Sequence, residues 1–406
     1  MRFLFLNQFY PPDSAPTGRY LHDVARELVG RGHEVRVICS RRAYATGEDL
    51  GRGQVLEGVD VRRVRGIPTS GGSLVGRAAE HVVYFAQAAA QAALGSPRPD
   101  LTLSATSPPF LGLAAALASR TRGLAHAEWT MDVYPDVLRA HWRRADGGWL
   151  GALLDGLARF QLRRAGLVIT LSDSMAARVS RRVRGHTRIE TVPLWSDLPA
   201  DGGDRPATWR ARRGWRDSEL VLLYSGNMGR GHRFGEFLEA ARRLGPEGPI
   251  WAFVGGGPRR IELERFRQEH PSARVQIFPY VPAEDVAASL ASSDVHLVSV
   301  SKEWNGLIIP SKLQAAFALG RPVLFVGPGD SETSAWIRES GGGWTVEEGD
   351  TEGVMRAVRE AGDATERARR GRAAGDYAHA HFDAKRNRAR VADLLEQCAS
   401  RTRRPG

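Results

Sequence analysis

The chain of 406 residues is 42% hydrophobic and 25% charged, a balance that suits a soluble two-domain protein and excludes a disordered one. It has no run of about 18 apolar residues, so no membrane-spanning helix is expected. Its net charge of +11 leaves three anionic partners to weigh, nucleic acid, a membrane surface or a substrate, besides a basic excess spread over surface helices that needs no ligand.

Met1-Arg2-Phe3-Leu4-Phe5-Leu6 turns polar at Asn7, which reads as a first strand and not as a signal peptide. Further strands are expected at 35–39, 61–64, 101–105, 125–129, 167–171 and 189–192, with helices between them. The helix at 20–29 is the clearest, with Leu21, Val24, Ala25 and Leu28 at helical spacing and Gly32-His33 ending it. The polar stretch 200–204 reads as a linker. Alternation then restarts, with strands at 221–224, 252–254, 275–278, 295–300, 323–326 and 344–346. Helices fall at 234–244, 261–269, 283–291, 311–318, 332–339 and 354–361. Such alternation predicts two doubly wound parallel sheets, with ligands held at the carboxyl ends of the strands, facing one another across a cleft. Cys39 and Cys398 lie far apart without metal-type spacing, which argues against a disulfide framework or zinc site and fits a reducing cytoplasm. No zinc finger, RNP-type aromatic strand or compact basic recognition helix is present, so nucleic acid is not an expected partner.

The strand-end loops carry the chemistry. After the first strand, Asn7 to Arg19 forms a proline-rich turn feeding a helix. There Gly18 permits close backbone approach and Thr17 can cap or touch a ligand. Tyr224-Ser225-Gly226-Asn227-Met228-Gly229-Arg230-Gly231-His232-Arg233 places three glycines, two arginines and a histidine at a strand's carboxyl end, as an oxyanion cradle would. A basic loop that needs glycine for tight turns has the same composition. Val254-Gly255-Gly256-Gly257-Pro258 fails as a dinucleotide fingerprint, because Pro258 and Arg259 displace the later glycine. It offers instead a backbone surface for a base or ribose, with Tyr280 and Val281 beside it. Tyr280 fits a core edge equally well.

Only three of the 57 basic residues are lysines, and two of them, Lys302 and Lys312, flank one segment, Ser301-Lys302-Glu303-Trp304-Asn305-Gly306-Leu307-Ile308-Ile309-Pro310-Ser311-Lys312-Leu313. A lysine retained where arginine otherwise serves suggests a need for a compact point charge. Pro310-Ser311-Lys312 opens a helix after a strand, where free N–H groups and the helix dipole favour a phosphate. Chance retention on a solvated face would look the same.

These loops, in this order, resemble retaining glycosyltransferases of family four, whose fold is GT-B. The resembling stretches are Tyr10-Pro11-Pro12 to Gly18, 31–35, 225–232, Val254 to Pro258, and Glu303 to Pro322. They are closest to bacterial envelope-polysaccharide members, through Pro310-Ser311-Lys312-Leu313, Ala318, Gly320, Arg321, Pro322 and Val323. The sequence departs from the family pattern at two points. Ser311 stands where many members carry a second glutamate that grips the ribose. Met131-Asp132 stands where a His-Asp pair is common, and His126, five residues earlier, is no simple substitute.

The resemblance implies an N-terminal Rossmann-like acceptor domain over 1–199, a linker over 200–218 and a nucleotide-sugar domain over 219–380. A final helix over 381–400 would pack back on the first domain, before a tail at 401–406. It implies transfer of a sugar from a nucleotide diphosphate-sugar, the donor substrate, with retention; no metal motif appears in the sequence, so transfer is expected to need no metal or cofactor. Lys312, Arg230 and Arg233 would stabilise the leaving diphosphate, with the Ser311 helix start adding its dipole. Glu303 would hold sugar hydroxyls beside the Gly306 and Leu307 amides, with Ile308 nearby. Gly18, Gly226, Asn227, His232, Gly255, Gly257, Tyr280 and Val281 would line the donor. Thr17 and Asp132 would serve the acceptor, whether a sugar, a lipid-linked or a small-molecule one. A nucleotide-sugar epimerase of the same fold and a natural-product glycosyltransferase remain open.

Basic and apolar residues alternate in two first-domain segments, Trp142-Arg143-Arg144 through Trp149–Leu154 to Arg163-Arg164, and Arg77 ahead of Val82, Val83, Phe85 and Ala86. An interfacial helix needs this mixture, so an anionic membrane surface is an expected partner and a peripheral place on the inner membrane face an expected location. A helix packed on the sheet has the same stripe.

Overall fold

The computed structural model describes residues 1–13, 15–43, 47–65, 74–141, 148–183, 185, 187–198 and 206–403. The chain divides into two compact units, Met1–Pro193 with Lys385–Gly406, and Leu194–Ala384.

The first unit runs β1 (Arg2–Leu6), α1 (Pro16–Gly30), β2 (Glu34–Ser40), β3 (Gly53–Leu56), β4 (Val59–Val64), α2 (Leu74–Leu94), β5 (Leu101–Ser104), α3 (Gly112–Arg122), β6 (Ala125–Thr130), α4 (Asp136–His141), α5 (Gly148–Arg164), β7 (Leu167–Thr170), α6 (Asp173–Ser180) and β8 (Arg188–Thr191). Its sheet order is β3-β4-β2-β1-β5-β6-β7-β8. All neighbours are parallel except β3, which pairs antiparallel with β4. The sequence reading missed β3 because its residues Gly53, Gln54 and Val55 are exposed and show no apolar run. Buried strands such as β5 and β6 are covered on both faces, as parallel strands usually are. Connections diverge on either side of β1, so its carboxyl end beside that of β5 is the switch point where such sheets bind ligands.

The second unit runs α7 (Pro206–Arg213), β9 (Val221–Ser225), α8 (Gly235–Leu244), β10 (Ile250–Val254), α9 (Arg260–Glu269), β11 (Val275–Phe278), α10 (Val286–Ala291), β12 (Val295–Ser299), α11 (Lys312–Ala318), β13 (Val323–Val326), α12 (Glu332–Ser340), β14 (Gly343–Val346), α13 (Thr351–Ala361) and α14 (Ala364–His381). The sheet is fully parallel, ordered β11-β10-β9-β12-β13-β14, with its switch point between β9 and β12.

Two boundaries differ from the sequence reading. The stretch 200–218, read as linker, contains α7, because Trp209 and Trp215 are buried and Arg210 donates to the Ser292 carbonyl at 2.9 Å and pairs with Asp294 at 3.3 Å. Residues 199–205 lie outside those described. The unit division falls at Leu194, before that stretch. Helix α14 also escaped the sequence reading, since it is polar and buries only small residues, Gly371, Ala374 and Ala378.

The final helix, α15 (Ala384–Arg403), belongs to the first unit from Lys385 onward. Val391, Leu394 and Leu395 are buried. Arg31 of the first unit pairs with Asp393 at 2.6 Å and Glu396 at 3.2 Å, and His33 meets Glu396 at 2.7 Å.

Candidate active site

At the switch point of the second unit, four strand-end loops are knitted together by their main chains. Gly226 donates to the Val254 carbonyl at 2.9 Å, Met228 to Gly256 at 2.6 Å and Gly255 to Phe278 at 3.0 Å. Ser301 donates to the Gly231 carbonyl at 2.8 Å. The Arg233 amide reaches the Ser299 hydroxyl at 2.9 Å, and that hydroxyl donates back to the Arg233 carbonyl at 2.7 Å. These bonds tie the main chains of the loops to one another and hold the cradle in shape before a ligand arrives.

Glycine is obligatory at two of these positions. Gly255 has φ 128°, and a Cβ there would collide with the Gly226 carbonyl oxygen. Gly257 has φ 129°, and its Cβ would lie 2.5 Å from Asn227 Oδ1. Both constraints keep the 254–257 turn tight against the 226–228 turn.

Lys312 opens α11 and projects into this cradle. Its Nζ lies 3.4 Å from His232 Nε2 and 4.8 Å from the centre of the Tyr224 ring. A Cβ on Gly226 would sit 3.3 Å from Lys312 Cε, so the bare backbone at Gly226 leaves the lysine its place. His232 Nδ1 is 2.7 Å from the Ser299 carbonyl, so Nδ1 carries the proton and Nε2 presents a lone pair to the ammonium. Burial first, then the nearby Lys312 charge, hold His232 down to about 3. It stays neutral and acts as an acceptor that orients the lysine. Desolvation brings Lys312 down to about 8.

Several expected roles change. Arg233 pairs with Glu236 at 2.5 Å and Glu348 at 3.3 Å, so its charge is already neutralised by carboxylates. It shapes the loop and is not a spare cation for a leaving group. Arg230, by contrast, is exposed and forms no ion pair with the described residues. The Leu307 amide donates to the Trp304 carbonyl at 3.1 Å, so it is not available to a sugar hydroxyl. Gly306 adopts φ 68° at that turn, beside the partly buried Ile308. The Ser311 hydroxyl makes no capping bond to α11. Glu303 stands exposed in a single 3-10 turn over Lys302–Trp304, close enough to Arg233 to reinforce that guanidinium's charge.

Tyr280 is 58% exposed, and its hydroxyl donates to the Gly256 carbonyl at 3.3 Å. It is thus a surface ring beside the glycine turn, whereas Val281 packs partly on the core. Two residues not singled out from sequence shape the cradle. Trp304 covers Gly231, where a Cβ would meet its ring at 2.9 Å. The Arg259 guanidinium bonds the His232 carbonyl and Glu262. No pattern in the sequence joins positions so far apart.

In the first unit, Gly18 packs on the β1 loop, where a Cβ would meet the Phe9 carbonyl oxygen at 2.6 Å. Thr17 Oγ1 accepts a 3.4 Å bond from Asn7 Nδ2. Beyond β6, Asp132 accepts from Thr106 at 3.4 Å, and desolvation raises it to about 6. His126 is buried in β6 beside the Ser104 hydroxyl at 3.2 Å, and burial holds it down to about 3. It is a neutral core histidine. Glu128, two residues on, was missed: it is buried, bonded by Gln161 at 3.0 Å, and pushed up to about 8 by burial.

On the surface of this unit, Trp149 is 79% exposed, with Leu150 and Leu153 also exposed on α5. Residues 142–144 and the Arg77 side chain lie outside the described residues. Among those described, no helix is long and apolar enough to cross a membrane.

Comparison with known proteins shows the family. The profile described as Glycosyl transferase 4-like domain matches residues 17–195, and that of Glycosyl transferases group 1 matches residues 219–363. Together they span most of the chain in order, and it belongs to the glycosyltransferases that combine these two domains. It is 26% identical over 334 residues to the putative colanic acid biosynthesis glycosyl transferase WcaI of Escherichia coli K12, covering 79% of this chain and 82% of that one. It is 26% identical over 271 residues to the probable glycosyltransferase WbjE of Pseudomonas aeruginosa, covering 65% and 66%. Among solved structures, sucrose-phosphate synthase from Thermosynechococcus elongatus superposes with TM-score 0.79 at 15% identity, covering 99% and 100%. Anabaena HepE bound to UDP-glucose gives TM-score 0.71 at 16% identity, covering 98% and 100%. The fold is GT-B.

Proposed function

We propose that this glycosyltransferase moves a sugar from a nucleoside diphosphate-sugar to an acceptor hydroxyl, with retention of anomeric configuration, in the assembly of a bacterial envelope polysaccharide or glycolipid. The observation that carries the reading is Lys312: a desolvated ammonium held by neutral His232 at the β9/β12 switch point, over a turn kept open by glycine. The name of WcaI, a putative colanic acid biosynthesis glycosyl transferase, supports the envelope setting. The UDP-glucose complex of HepE supports the donor class.

In this reading the bond from the anomeric carbon to the diphosphate oxygen breaks ahead of attack by the acceptor oxygen on the same face. Negative charge grows on the leaving diphosphate. Lys312 meets it in a site of low dielectric, where a fixed cation is worth most. Arg230, exposed in the same loop, supplies a second cation for the diphosphate. The acceptor proton leaves with the diphosphate, and Thr17 and Asp132 position the acceptor. With charge supplied by side chains, turnover is expected to persist in a metal chelator. Proton NMR of the product of an α-linked donor tests the stereochemistry: an α-linked product is expected, and a β-linked product would overturn retention.

The depressed Lys312 pKa also sets a pH profile. In the free enzyme, kcat/KM should fall with an apparent pKa of about 8 as the ammonium loses its proton, and bound diphosphate should move that limb upward in kcat. Stability should run the other way. Between about 8 and the lysine's ordinary 10.5, the unfolded chain holds a proton the native chain has lost, so stability rises with pH across that window. A kcat/KM that stays flat from about pH 7 to about pH 9 would contradict the assigned charge.

Glu303 has a separate role. Glu303→Gln should blur discrimination among donor sugars and leave free nucleoside diphosphate affinity nearly unchanged. A large loss of diphosphate binding by calorimetry would place Glu303 at the nucleotide instead.

A further inference from the structure

Away from the strand ends, the first unit carries a recess of about 220 Å³ lined by Asp136, Asp155, Arg159, Arg178, Arg181 and Arg182. All six lining residues are charged, four of them positively. Its floor is a closed network. Arg182 grips Asp136 with two bonds, at 2.7 and 2.9 Å, and Asp155 at 3.3 Å. Arg139 grips the same aspartates from the other side, at 3.4 and 2.8 Å. Two cations and two carboxylates there cancel. Each carboxylate is shared by two guanidinium groups, so the floor is rigid and electrically neutral.

The surplus lies in the walls. Arg159 stands one turn beyond Asp155 on α5, while Arg178 and Arg181 stand one turn apart at the end of α6. Arg159 and Arg181 are exposed and form no ion pair with the described residues. Guanidinium groups converging on a concave floor suit the tetrahedral, multiply charged oxygens of a phosphate.

The same helix supplies the second observation. Trp149, Leu150 and Leu153 expose apolar surface on α5, with Trp149 and Leu153 one turn apart. Arg159 lies ten residues after Trp149 on that helix, about 80° round its axis, and both are exposed, so the arginine wall and the apolar residues share the helix's solvent side. An amphipathic arrangement of this kind lies in the headgroup layer, with its aromatic and leucine side chains inserted and its cations at phosphate level.

We propose that this arginine recess binds the phosphate headgroup of a membrane lipid, and that Trp149, Leu150 and Leu153 insert beside it. The proposal rests on the envelope-glycolipid reading of the acceptor, and it adds a headgroup site remote in sequence from the donor cradle. A phosphomonoester lipid fits better than a phosphodiester, since it offers more charge and more free oxygens to the guanidinium groups.

Vesicle sedimentation tests it, with phosphatidylcholine vesicles carrying either phosphatidic acid or phosphatidylglycerol at matched surface charge. The wild-type protein is expected to bind the phosphatidic acid vesicles about 10-fold more tightly, and an Arg159→Gln, Arg181→Gln double variant to lose that preference. A Trp149→Ser variant should weaken binding to both vesicles while the preference remains. Equal binding to the two vesicles, or an unchanged preference in the double variant, would overturn the proposal. So would inorganic phosphate occupancy of the recess, seen by calorimetry, with no binding to either vesicle. Donor hydrolysis, measured without lipid, should be the same in wild type and double variant. Its absence from both would instead count against the glycosyltransfer reading.

Discussion

Replacing Lys312 with alanine is expected to lower turnover by about 10²-fold or more, while affinity for a nucleoside diphosphate changes much less. The Lys312 ammonium lies 3.4 Å from His232 Nε2 and over the Tyr224 ring, and desolvation already lowers its pKa to about 8. A cation that costs free energy to hold in the resting enzyme returns most where negative charge is developing. Its effect therefore belongs in kcat more than in ground-state binding. Lys312→Arg should fail to restore the rate, because the planar fork is too large for the space beside Gly226, where even an added Cβ would sit 3.3 Å from Lys312 Cε. Steady-state kinetics on purified variants, with calorimetry for the diphosphate, separates the two effects. Wild-type turnover in Lys312→Ala would remove the lysine from the mechanism.

Gly255→Ala should be nearly as damaging by another route. At φ 128° an alanine is strained, and its Cβ would be driven into the Gly226 carbonyl. Strain of this kind costs about 1–3 kcal/mol, and the steric conflict adds to it. Relief requires the 254–257 turn to move off the 226–228 turn, which breaks the Gly226–Val254 and Met228–Gly256 bonds and opens the cradle. Loss of nucleoside diphosphate binding with a lowered unfolding midpoint is the expected result. Gly235→Ala is the control. No atom lies within 4 Å of its added Cβ at the start of α8, so stability should hold or rise by up to about 1 kcal/mol. Equal behaviour of the two variants would show that the turn geometry is not limiting.

The parallel core was legible because its strands are short apolar runs spaced by amphipathic helices, and β9, β10, β12 and β13 are buried as that pattern implies. The strand β3 was not, since an exposed hairpin arm has no apolar signature. Helix α7 hid in a polar stretch because its two anchors, Trp209 and Trp215, are isolated in sequence. In the second unit, glycine and lysine spacing marked loops that pack together at the β9/β12 switch point. Pairing was beyond reach: nothing in the sequence joins Arg233 to Glu348, or closes the Leu307 amide onto Trp304. The first contact depends on how distant strand-end loops pack, and the second on the local turn over Trp304–Leu307. The neutral state of His232 also follows only from its burial and from the Lys312 charge beside it.

The most direct measurement is calorimetric titration of UDP, GDP, ADP and dTDP into the wild-type protein and into Gly255→Ala. The account predicts that at least one diphosphate binds the wild type at a single site and that the same ligand fails to bind Gly255→Ala. Binding of none of the four, or equal binding to both proteins, would contradict the assignment of the β9/β12 cradle as the nucleotide site.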